Sequence, residues 1–65
     1  MKAIKASNER YEYKVGYEDV VAITYFPAEQ RVYDGGVITE PANARVNFDD
    51  GSYAILYNLL RVVFK

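Results

Sequence analysis

The chain sets carboxylates side by side twice, at Glu18-Asp19 and at Asp49-Asp50, and paired carboxylates are what general acid–base work would require. Neighbours on an extended chain point to opposite faces, so each pair is read as a solvated turn rather than a catalytic dyad. His and Cys are absent from the sequence, which removes the imidazole base, the thiol nucleophile and the usual zinc donors. The acidic turn lacks the ligand spacing of a calcium loop, and no glycine motif of the phosphate-cradling kind occurs. The expectation is a protein that is not an enzyme, with no catalytic residue, no metal and no cofactor.

Aromatic residues are what remains for recognition: seven Tyr and three Phe, with no Trp, among 65 residues that are 51% hydrophobic. That is too apolar for a disordered chain, and the length allows one folded domain. With no disulfide or zinc staple available, packing or a partner must supply the stability. Charge is unevenly placed. Lys2, Lys5, Arg10 and Lys14 face only Glu9 and Glu12 in the first fourteen residues, and the rest of the chain is acidic. An acidic body offers little to a phosphate backbone, so duplex nucleic acid is not expected as a ligand. No apolar run reaches signal-peptide or membrane-spanning length. The expectation is a cytoplasmic protein with no membrane partner, and a chain running from Met1 to Lys65 is expected to be complete.

The elements that must position the aromatic residues follow from pattern and punctuation. Residues 1–14 are read as an N-terminal arm ending in a short strand around Tyr11 to Val15, and residues 15–65 as the folded body. Val20 to Phe26 is the first confident strand, stopped by Pro27, and Ala28-Glu29-Gln30 is a loop. Arg31 to Thr39 admits two readings, a hairpin turning at Asp34-Gly35-Gly36 or one strand bent at the glycines. Ala44 to Phe48, Ser52 to Tyr57 and Arg61 to Phe64 complete five strands. Asp49-Asp50-Gly51 turns between two of them, and Asn58-Leu59-Leu60 suits a single 3₁₀ turn before the last. The fold expected is an all-β barrel.

Alternation along Val20 to Phe26 puts Val20, Ala22, Thr24 and Phe26 on one face and Val21, Ile23 and Tyr25 on the other. Neither face is polar. Either the arm or a neighbouring strand covers the second face, or Val21 and Ile23, extended by Val32, Ile38 and Tyr57, form an outer interface.

The run from Tyr17 to Val37 resembles the first hairpin of Tudor domains, a family of SH3-like barrels. A strand opens on Asp19-Val20-Val21-Ala22, a short loop follows, and Tyr33-Asp34-Gly35-Gly36-Val37 has Gly35 at the small-residue place, which favours the bent strand. Ala44 to Ser52 resembles the third strand and turn of the same family, and Asn58-Leu59-Leu60-Arg61-Val62 its close; the likeness covers residues 15 to 64. It implies a five-stranded SH3-like (Tudor-like) barrel with a short 3₁₀ turn before the last strand. Tudor domains that read methylated Lys or Arg hold the methylammonium among aromatic rings. The likeness maps such a cage onto Tyr33, Phe48 and Asp50, while Thr24 and Ser52 stand where the family has aromatic residues. Tyr25, Phe26 or Tyr53 would have to be re-aimed by a one-residue bulge to fill those places.

The leading functional expectation is a non-enzymatic protein-interaction module that uses these aromatic residues and the apolar outer face. For so small a chain, a phage or mobile-element product that docks on a host protein and blocks it fits the size. The alternatives are a methyl-Lys or methyl-Arg reader, a single-stranded nucleic-acid binder with Tyr11, Tyr13 and Tyr25 stacking on bases, and a structural homo-oligomer.

Overall fold

The computed structural model describes residues 2–65, and these form eight β-strands and no helix. In chain order they are β1 (Ala3–Ser7), β2 (Glu12–Lys14), β3 (Val20–Phe26), β4 (Glu29–Tyr33), β5 (Gly36–Glu40), β6 (Asn43–Phe48), β7 (Tyr53–Tyr57) and β8 (Arg61–Phe64). All pairings are antiparallel. β3, β6 and β7 are adjacent in the sheet, β1 lies on the other side of β3, and β8 pairs with β1. One edge of β1 carries β8 along its length. The other is shared by β3, at Ala3, and β2, at Lys5 to Ser7. The result is a strongly curled half-barrel.

Bulges explain both the curl and the burial pattern. The register between β3 and β6 shifts between Val20 and Ala22, and the added residue turns a spacing of two into three, so Val20 and Ile23 both face inward. The same happens in β1, where a shift between Ala3 and Lys5 lets Ala3 and Ala6 share the core. The core is Ala3, Ala6, Val20, Ile23, Ala44, Val46 and Leu56, flanked by Tyr13, Val15, Phe48, Leu59 and Val62. Three of its seven members are alanines, which permits close approach of the curled layers but leaves little apolar area per residue to stabilise them.

Eight strands stand where five were expected, and further expectations are corrected. Residues 3–14 are not an arm: β1 is interior to the sheet and hairpins into β2, with Tyr13 packed on the core. Met1 lies outside the described residues. Residues 31–39 are not one bent strand. Tyr33 pairs with Gly36 across Asp34-Gly35, and β4 and β5 form a separate two-stranded sheet. Gly36 takes φ 135°, a conformation that any Cβ would oppose. The loop expected at residues 28–30 is shorter accordingly, since β4 begins at Glu29. Asn58-Leu59-Leu60 contains no 3₁₀ turn. The chain reverses through Asn58 at φ 56°, a left-handed conformation Asn tolerates, and the Leu60 amide donates to the Ser7 carbonyl at 2.9 Å. Finally, Ile23 does not belong to an outer face; the bulge turns it into the core.

The β4–β5 hairpin stands apart in kind. Every residue in both strands is exposed, and the molecule measures 44 × 25 × 23 Å. Among the described residues no helix is long and apolar enough to cross a membrane.

Candidate functional site

Both adjacent carboxylate pairs lie in turns. Glu18 and Asp19 take left-handed φ values of 50° and 66° between β2 and β3. Asp50 serves its own turn, its Oδ1 accepting from the Ser52 amide at 2.8 Å and the Ser52 hydroxyl at 2.5 Å. Those bonds, the hydroxyl's foremost, hold the Asp50 carboxyl below its ordinary value. A depressed folded value contributes stability above the unfolded pKa, and the contribution is lost as pH falls through the folded one. Ser52→Ala removes the leading donor, so the Asp50 carboxyl should titrate nearer the ordinary range in an NMR pH series. An unmoved titration would mean that the hydroxyl bond does not form in solution.

The rings grouped by the Tudor likeness are spread over the molecule. Tyr33 lines a shallow cleft with Gly35, Gly36, Val37 and Ile38 of its own hairpin. Phe48 lies at the core margin, its ring edge-on to Tyr13 with centroids 5.8 Å apart. Tyr25 meets Phe64 edge-on at 5.6 Å. Neither Phe48 nor Asp50 shares the Tyr33 cleft. Tyr11 and Tyr13 stack at 6.2 Å on the β1–β2 hairpin, where Lys5 is held by Glu12 at 2.8 Å.

Two surfaces gather much of the exposed apolar area. The first is the convex face of β3, β6 and β7, where the register sets out three cross-strand rows: Phe26, Asn43 and Tyr57; Thr24, Arg45 and Ile55; Ala22, Asn47 and Tyr53. The Arg45 guanidinium lies 4.0 Å from the Tyr53 ring centroid, a cation–π contact between β6 and β7. Phe26, Tyr53, Ile55 and Tyr57 are all exposed there.

The second surface is the tip of the β4–β5 hairpin. Val32 pairs with Val37 on one face, and Tyr33 and Ile38 lie on the other. All four are exposed, Val32 at 80%. At the stem Arg31 bridges Glu29 at 3.8 Å and Glu40 at 3.5 Å, which ties the base of the finger together. Of the five residues expected to share an outer interface, Val32 and Ile38 are on this finger, on opposite faces, while Val21 and Tyr57 are exposed on the body. Val37 completes the tip; alternation along the chain separates it from Val32, and only pairing across the turn sets the two on one face.

Among the described residues no group of His, Cys, Asp or Glu side chains is placed to hold a metal ion. No protein-family model matches the chain, and no curated protein or solved structure is similar to it at a significant level.

Proposed function

We propose that the protein is a non-enzymatic protein-interaction module that docks on a protein partner through the β4–β5 finger and acts by occupying the partner's surface. The observation that carries this reading is the finger itself: a two-stranded hairpin exposed at every position and apolar on both faces of its tip. An isolated hairpin is marginal in water, and a solvated one has no reason to carry Val32, Tyr33, Val37 and Ile38 together. In our reading the body is an SH3-like (Tudor-like) half-barrel, supported by the return of its last strand, after a short turn, to pair with the first, with the finger as its recognition element.

Magnitudes limit what the tip does alone. Fully burying a large apolar side chain contributes about 1.5–3 kcal/mol, and these four are already partly covered, so the tip supplies roughly 4–7 kcal/mol. Association costs at least about 4 kcal/mol. Tight binding therefore needs further contacts, and the convex face has the exposed aromatic area to provide them.

The test compares proteins captured from a native lysate by the wild-type chain with those captured by Val32→Asp/Val37→Asp. Both sites lie outside the core, so the body should keep its melting temperature, while the two facing carboxylates also weaken the β4–β5 ladder. The variant should lose the captured partner by tenfold or more, on the order of a buried unpaired charge. Identical capture by the two proteins would remove the finger from the interface.

A further inference from the structure

The free edge of β7 is built to pair with itself. In the β6–β7 ladder the Phe48 amide donates to the Ser52 carbonyl at 2.9 Å, and hydrogen-bonded and non-bonded pairs alternate from there. Val46 with Ala54 and Ala44 with Leu56 are then the bonded pairs, and Tyr53, Ile55 and Tyr57 direct their amides and carbonyls away from β6. The Asn8 side chain confirms this direction by donating from Nδ2 to the Tyr57 carbonyl at 3.1 Å. No other bond among the described residues reaches the outward groups of Tyr53 or Ile55. A cleft of about 600 Å³ runs beside the strand, walled on its far side by Asn8, Glu9, Arg10, Tyr11 and Tyr13, so the β1–β2 turn reaches the edge at Tyr57, through Asn8, and leaves Tyr53 and Ile55 open.

We infer that two copies of the chain associate through β7, antiparallel about Ile55, joining their β3–β6–β7 sheets into one. Three features select a second copy as the occupant. The outward groups at 53, 55 and 57 are spaced so that a two-fold axis at Ile55 sets Ile55 opposite Ile55 and Tyr53 opposite Tyr57. All three side chains lie on the convex face, where such cross-strand pairs stabilise a sheet. The strand Tyr-Ala-Ile-Leu-Tyr carries no charge, proline or bulge, the usual protections of an edge. The ends differ in charge, acidic at one and mixed at the other. β7 starts from the acidic turn of Asp49 and Asp50, to which Asp19 is tied by the 2.9 Å bond from the Asp49 amide. It finishes beside Arg10, which shares the cleft with Glu9. Antiparallel pairing brings the acidic end of each copy to the Arg10 end of the other, twice.

This inference does not rest on docking by the finger. Sedimentation of the full chain over a dilution series should show a monomer–dimer equilibrium, and the Tyr53 and Ile55 amides should exchange more slowly as concentration rises. Ile55→Lys, at an exposed site, should weaken dimerisation by about tenfold or more. Arg10→Glu should weaken it about twofold to fivefold, and adding Asp49→Lys should restore it. Val32→Asp/Val37→Asp should dimerise as the wild type does. A monomer up to about 1 mM, or a dimer with unprotected Tyr53 and Ile55 amides, would overturn the inference whether or not Ile55→Lys folds. So would a dimer unmoved by both Ile55→Lys and Arg10→Glu.

Discussion

Deleting residues 2–7 should leave a chain that does not fold. The segment is β1, which pairs with β2, β3 and β8 and puts Ala3 and Ala6 into the core. Its loss strips β8 of its ladder and orphans the amides and carbonyls of three strands at once. A chain of this size has about 3–10 kcal/mol of total stability. Each lost backbone hydrogen bond removes about 0.5–1.5 kcal/mol, so one missing interior strand exceeds the whole margin. Circular dichroism should show no β signal and no cooperative melt. A truncated chain that melts like the full one would mean that residues 2–7 are an appendage, and the sheet order would have to be redrawn.

Val46→Ala and Val32→Ala should give opposite results although the chemical change is the same. Val46 is fully buried, at 0% exposure, between Ile23 and Ala54 in the cross-strand register. Removing two methyl groups there forfeits their transfer free energy and leaves a cavity that the sheet cannot close, about 2 kcal/mol together. For a domain of this size that lowers the melting temperature by roughly 8–16 °C. Val32 stands in solvent on the finger, and its truncation should change stability by no more than about 0.5 kcal/mol. Its effect should fall on partner capture instead. Equal melting temperatures for the two variants would mean either that the core is not centred on Val46 or that the finger packs on the body in solution.

The same separation of roles describes what could be read before the fold was known. The strands from Val20 to Phe26 and from Arg61 to Phe64 have the bounds expected from pattern and punctuation, and those around Ala44 to Phe48 and Ser52 to Tyr57 differ by one residue. Pro27, the Asp49-Asp50-Gly51 turn and the β-branched and aromatic runs act locally, so they are legible without partners. Asp34-Gly35 is also a hairpin signal by local chemistry. The likeness to Tudor hairpins argued for a bent strand there, and the pairing of Tyr33 with Gly36 decides for the turn.

The candidate surfaces were legible only as residue types. Exposed Val32, Ile38, Tyr53 and Tyr57 were named, but not that the first two tip a finger while the others line a sheet edge.

The amino-acid order by itself determined that the chain is all β, where most of its strands begin and end, and that the residue types it has to offer for contact are aromatic and aliphatic. Tertiary structure alone decided that Ala3 to Ser7 is an interior strand, that Ile23 faces the core and that β7 ends the sheet. The reason is physical. A strand's inward face is set by register with strands distant in sequence, and one bulged residue, as between Val20 and Ala22, exchanges the two faces without any local mark.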